Sequence, residues 1–259
     1  MPATLSPQMP EPLAHAVDDA LHASPRRVQR LTAGGRVFWL KRPERLSLWW
    51  RLQKGDPQRT FRAEREALHE LADRGLPVAD LVAEDADFIV TADAGESLRE
   101  VLRDQAVPPA GRLAAFRAAG RSLAVLHRAA LRHGRPSIRD ICWDGRMARF
   151  IDFEKFRRGP VSRRGMGLDL LIFVHSVFAV AQMPVPELDE ALAAYRAAAP
   201  EGAWAAAESM ARHLGWLAAL ARMVLRWHPS RDLAAVPLTV ERMRGDAPHG
   251  QAAGKARQS

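Results

Sequence analysis

H-G-R-P-S-I-R-D-I-C-W-D-G-R-M-A-R-F-I-D-F-E, residues His133 to Glu154, reads as a loop, a short strand, a turn and a second strand. Gly134 and Pro136 end the helix before it. Ile141, Cys142 and Trp143 form a compact apolar strand, and Asp144-Gly145 is a strong turn signal because both residue types tolerate positive φ. Ala148 to Ile151 returns as a strand and delivers Asp152 to its end. The hairpin therefore brings Asp140 and Asp152 together. Neighbouring carboxylates at strand ends commonly hold Mg²⁺, and a surface hairpin with solvated charges explains the same residues equally well.

Working outward, the 259 residues allow one large domain or two lobes with a sizeable core. An apolar fraction of 47% and a charged fraction of 26% are those of a globular protein. A lone cysteine, Cys142, rules out an internal disulfide and suits a reducing cytosol. The first fifteen residues lack the basic start and apolar run of a signal peptide. Leu168 to Met183 falls short of the ~20 apolar residues of a span and carries Asp169 and His175, so a buried helix is expected. The net charge of +8 fits a nucleotide, a phosphorylated substrate, an anionic membrane surface or nucleic acid, and equally a compositional drift toward Arg.

Residues 1–24, Pro-rich and weakly amphipathic, are expected as a flexible N-terminal arm or a short helix. Val28 to Arg42 alternates around Gly34-Gly35 as a β-hairpin with Lys41 at its end. Phe61 to Arg74 follows a 3.6-residue period that aims Glu64 at the sheet and Glu66 to the side. Two more strands complete an N-terminal lobe over 25–92. Helices over 96–104, 110–128, 168–181, 186–199 and 202–227 build a second lobe over 93–244, with a disordered tail over 245–259. The expected class is α+β: a small antiparallel-sheet lobe, then a helical lobe carrying the hairpin.

A strand lysine, a helix glutamate, an acidic loop and D-F-E now stand in one order. That order resembles the two-lobed protein-kinase-like fold over roughly residues 25 to 230, and within it the bacterial lipopolysaccharide Kdo and heptose kinases. The resemblance implies ATP and Mg²⁺ as cofactors and a sugar or glycolipid hydroxyl as acceptor. In V-F-W-L-K, Lys41 would pair with the nucleotide phosphates, with Glu64 as its partner. Gly34 and Gly35 occupy the place of the phosphate-covering loop without its full glycine pattern. F-I-V-T-A-D-A-G resembles the hinge, putting adenine near the Ala92 backbone. Asp140 and Asp152 would be the metal ligands, and Asp169 would hold the catalytic-loop backbone. Arg157, Arg158, Arg163 and Arg164 lie where relatives meet their substrate.

The departure is Arg135, standing where the family carries its catalytic aspartate. A guanidinium stays protonated and cannot accept the acceptor's proton. Three readings stay open. Asp140 orients the hydroxyl or holds metal in an active enzyme; Arg135 binds the transferring phosphate; or Arg135 pairs with the acids in the metal's place, leaving a pseudokinase that serves as a nucleotide-binding or regulatory module. His127, His133 and His213 lack metal-ligand spacing, and Cys142 has no C-x-x-C partner, so no zinc site is expected. No aromatic-basic stripe points to nucleic acid. The expected location is cytoplasmic, with peripheral contact at the anionic inner face of the cell membrane as an option, for instance through Trp49 and Trp50; the oligomeric state is not legible.

Overall fold

The computed structural model describes residues 9–44, 56–156 and 161–245. Strand β1 (Val28–Ala33) and β2 (Arg36–Lys41) pair antiparallel through a two-residue turn at Gly34-Gly35. Both glycines have positive φ, +56° and +73°, the geometry that lets a two-residue loop follow the strand twist. After helix α2 (Pro57–Asp73) come β3 (Leu81–Asp85) and β4 (Phe88–Ala92), giving a sheet of order β1-β2-β4-β3.

Strand alternation decides what each face meets. Leu31, Phe38, Leu40, Phe88 and Val90 turn to one side and pack with Leu13, Val17 and Ala20 of helix α1 (Glu11–Ala23). Lys41 pairs directly with Ile89, so both point to the other side, where α2 lies. That helix is capped by Asp56, which accepts from the Gln58 amide, and buries Phe61, Glu64, Leu68 and Leu71 along one stripe.

Over Glu11–Ala23 the chain is the short helix, not the flexible arm, of the two alternatives expected for 1–24. The sheet's apolar face needs a cover, and Leu13, Val17 and Ala20 recur at helical spacing to supply it. Each fully buried Leu or Val there is worth about 1.5–3 kcal/mol. The expected tail past residue 245, and the connector with Trp49 and Trp50, lie outside the described residues.

The second lobe opens with a short strand, β5 (Glu96–Ser97), where a helix was expected to begin. The Ser97 hydroxyl instead caps helix α3 (Leu98–Arg103) by accepting from the Glu100 amide. Helix α4 (Pro109–Arg128) leads into the hairpin β6 (Ile141–Trp143) and β7 (Ala148–Phe150), which β5 extends to three strands in the order β5-β6-β7. Then follow α5 (Arg163–Ala181), α6 (Pro186–Ala198), α7 (Ala203–His213), α8 (Gly215–Val224) and α9 (Arg231–Met243). The single helix expected over 202–227 breaks at Leu214-Gly215. Among the described residues α5 alone is long and apolar enough to cross a membrane, and half of it is buried, with Leu170, Phe173, Val174 and Val177 in the main core. That core is continuous from Phe61 and Leu71 of α2 through Phe116 of α4 to Phe178 of α5, so the two lobes share it.

Candidate active site

The hairpin's open end brings its acids together. Asp140 directly precedes β6, Asp152 lies just past β7, and the Ile151 amide donates to the Asp140 carbonyl at 2.9 Å. Asp152 sits in the left-handed region at φ +63°, a conformation aspartate tolerates better than most side chains. Lys41 Nζ donates to Asp152 Oδ1 at 2.7 Å and to Glu64 Oε1 at 2.5 Å. Of the two glutamates weighed on α2, Glu64 is therefore the lysine's partner, and it is buried while Glu66 is exposed.

Burial by itself would lower the Lys41 ammonium, but the flanking carboxylates of Glu64 and Asp152 outweigh it and hold the group above its ordinary range. Burial pushes Glu64 up despite the lysine. Asp152 goes the other way: burial opposes ionisation, yet Lys41, then Arg135 and Arg27, keep it below the usual carboxylate range. Asp140 is pushed up to about 6, first by burial and then by the charge of Asp152. Two neighbouring carboxylates are thus driven apart in acidity, as in sites where one group is kept charged and the other poised.

Arg135 reaches into this cluster. Its Nη2 donates to Asp152 Oδ2 at 3.1 Å and stands 3.7 Å from Asp140 Oδ2. The loop that presents it is fixed from behind. Buried Asp169 on α5 accepts from the His133 amide at 2.8 Å and the Gly134 amide at 3.2 Å, the role its resemblance implied. His133 packs on Phe150 and Phe153 and donates from Nε2 to the Ile151 carbonyl at 2.9 Å, while Nδ1 accepts from the Arg135 amide. Burial lowers its pKa, which agrees with a neutral ring.

Two residues escaped the sequence reading as participants. Arg27, just before β1, forms an ion pair with Glu154 of the D-F-E element, and Glu154, Glu64 and Asp152 offer oxygens within 4.8 Å of one another. The hairpin register, which brings the Arg42 amide to the Arg27 carbonyl at 2.7 Å, was the available signal that Arg27 borders the Lys41 end. Oxygen-only donors of this kind suit a hard divalent cation. Each of the three is also engaged by a cation, Glu64 and Asp152 by Lys41 and Glu154 by Arg27, and Asp140 faces Arg135 beside them.

The other expected contacts are less direct. Gly34-Gly35 is a two-residue turn at the tip of the β1–β2 hairpin, with open space beside both glycines. The Ala92 amide donates to the Asp80 carbonyl at 2.9 Å, so that N–H is engaged within the fold. Past it, Gly95 lies so close to β6 that an added Cβ would stand 2.1 Å from the Trp143 carbonyl oxygen. Cys142, in the middle strand between Ser97 and Arg149, is buried, and that burial pushes its thiol up to about 12. Arg157 and Arg158 lie outside the described residues, and Arg163 and Arg164 begin α5 after the Ser162 cap.

The chain is similar to several known proteins. An uncharacterized protein of Haemophilus influenzae is 32% identical over 143 residues, 55% of this chain and 59% of that protein, so the chain spans well under two thirds of its relative. Solved structures with a similar outline include WbdD with the kinase inhibitor LY294002 (17% identity, 72% of this chain, 49% of that one, TM-score 0.45). ADP-bound aminoglycoside phosphotransferase APH(2'')-Ib matches at 11% identity over 85% of this chain and 92% of that one, TM-score 0.47. A choline/ethanolamine kinase family protein from Mesorhizobium loti matches at 12% over 85% of both, TM-score 0.46. Residues 29–183, which run from β1 through α5 and include every charged group of the cleft but Arg27, match the family model, and the chain belongs to the lipopolysaccharide kinase (Kdo/WaaP) family.

Proposed function

We propose that the chain is an ATP- and Mg²⁺-dependent phosphotransferase acting on a hydroxyl of a sugar or lipopolysaccharide-type acceptor. The observation that carries this reading is the buried Lys41–Glu64 pair held against Asp152, an aspartate kept ionised at the mouth of a two-lobed cleft. Lys41 is locked on a strand by two carboxylates, so its charge is positioned for phosphate before any ligand arrives. Asp140 and Asp152 would hold Mg²⁺, which when bound neutralises charge developing on the phosphate oxygens. Arg135 is half exposed, with 50% of its side chain open to solvent, so it can leave the two acids and turn to the transferring phosphoryl group. A loose phosphoryl-transfer transition state asks little of a base early on, and so a loop without aspartate remains compatible with transfer.

A second reading rests on one specific contact. The Arg135 guanidinium bridges Asp152 and Asp140 where a metal would otherwise sit, which favours a nucleotide-binding or regulatory module. Thermal melting with and without Mg-ATP comes first: a ligand at ~100 times its Kd adds about 2.7 kcal/mol. No shift at millimolar Mg-ATP would sink the enzyme reading and leave a regulatory module that binds no nucleotide. With a shift, ATP turnover beside Asp152→Ala separates them. A wild-type rate that the variant loses supports the enzyme, and equal residual rates leave the module.

A further inference from the structure

The most exposed apolar surface lies far from the hairpin in sequence, on α8. Trp216, Leu220, Met223 and Trp227 are 66%, 41%, 47% and 69% exposed. At 100° per residue, positions 216, 220, 223 and 227 fall on one stripe, and the helical turns run on through the Trp227 amide bonding to the Val224 carbonyl. The opposite face carries Ala218 and Ala221 into the protein. The stripe is thus a projecting ridge with an indole at each end.

Its surroundings are more basic than acidic, with Glu208, Asp232 and Glu241 the acids at its borders. Residues 209–231 contain no Asp or Glu, but they hold Arg212, Arg222, Arg226 and Arg231. Of these, Arg222 is paired to Glu241 on the neighbouring helix, and the Glu208 carboxylate is turned to Trp204. Met183, 61% exposed, follows Gln182, whose side chain bonds the Arg231 carbonyl at the start of α9.

We propose that this ridge docks the protein on an anionic lipid bilayer, with α8 lying in the plane of the interface. Indoles prefer the headgroup level, where an apolar body and a polar N–H are both satisfied, and flanking arginines meet lipid phosphates. A second copy of the chain fits the ridge poorly. Two-fold pairing of α8 would bring the Arg212 end of one copy to the Arg226 end of the other. A ridge on a ten-residue helix also falls short of the roughly 20–30 residues per side of a stable interface. A bilayer needs no matching shape and supplies the missing negative charge.

Flotation of the full chain with vesicles of phosphatidylglycerol in phosphatidylcholine, against phosphatidylcholine alone, tests this without nucleotide, so its result is independent of the phosphotransfer reading. Association should require phosphatidylglycerol, weaken at high salt, and fall about tenfold or more in Trp216→Ser/Trp227→Ser, two apolar groups lost from the interface. Both side chains are exposed, so the variant's melting temperature should match wild type. Arg212→Glu/Arg226→Glu should remove the phosphatidylglycerol-dependent part on its own. Absent binding, binding that neither variant changes, or a wild-type dimer that the Trp variant dissociates would each overturn the proposal.

Discussion

Arg135 and Lys41 share one carboxylate, Asp152, and approach it from opposite sides. Removing the arginine therefore tests its two roles separately. Arg135→Ala should tighten Mg-nucleotide binding severalfold, since Asp140 and Asp152 lose a competing cation, while turnover falls by about tenfold or more for want of a charge on the phosphoryl group. A titration of Kd beside kcat checks the split; a variant unchanged in both would remove Arg135 from the mechanism. Asp140 makes a pH prediction. Its folded pKa of about 6 exceeds the roughly 3.9 of an unfolded aspartate, so the native state binds the proton more tightly and metal-free stability falls as pH rises between those values. Asp140→Asn should thus melt higher than wild type in EDTA at neutral pH, by on the order of 2–3 kcal/mol, and lose that advantage below about pH 4. Equal melting across that window would mean that Asp140 ionises without cost.

At the scale of elements, α4 and α6 touch through a glycine. A Cβ on Gly120 would stand 2.0 Å from the Ala191 carbonyl oxygen, a backbone atom with nowhere to go. Gly120→Ala should force the helices apart and cost about 1–3 kcal/mol, read by denaturant melting, although alanine is the better helix former. Helix α1 makes a matching case: Leu13→Ala should cost about 2–5 kcal/mol because it opens a cavity over the sheet. How much of this the sequence disclosed varies with the distance over which a signal acts. Lys41 at a strand end and Glu64 on the inner stripe of α2 follow from local periods of two and 3.6, and their meeting follows from one sheet packing one helix. Asp140 and Asp152 follow from a hairpin. The Arg27–Glu154 pair joins residues 127 apart and has no local signature. Prolines and a thin apolar stripe left α1 undecided between arm and helix, while α9 was concealed by Pro237 within it and the break between α7 and α8 by an apolar pattern that runs through Gly215.

Across the whole molecule, two ion pairs tie the small lobe to the hairpin, Lys41 to Asp152 and Arg27 to Glu154. If Arg27–Glu154 acts as a tether, Glu154→Gln should speed hydrogen exchange in β1 and β2 while leaving α5 and α6 protected; unchanged exchange would show that this pair does not hold the lobes together. The sheet β5-β6-β7 adds a rigid element at the same junction, because Gly95 seats against Trp143 with no room for rotation. In its middle strand lies the chain's one thiol. A sulfhydryl held to about 12 and shielded from solvent is nearly inert toward alkylating reagents, since the thiolate is the reacting form. Cys142 is therefore a built-in clock: its labelling rate counts the moments when the hairpin parts from β5, and a nucleotide that clamps the cleft should slow it.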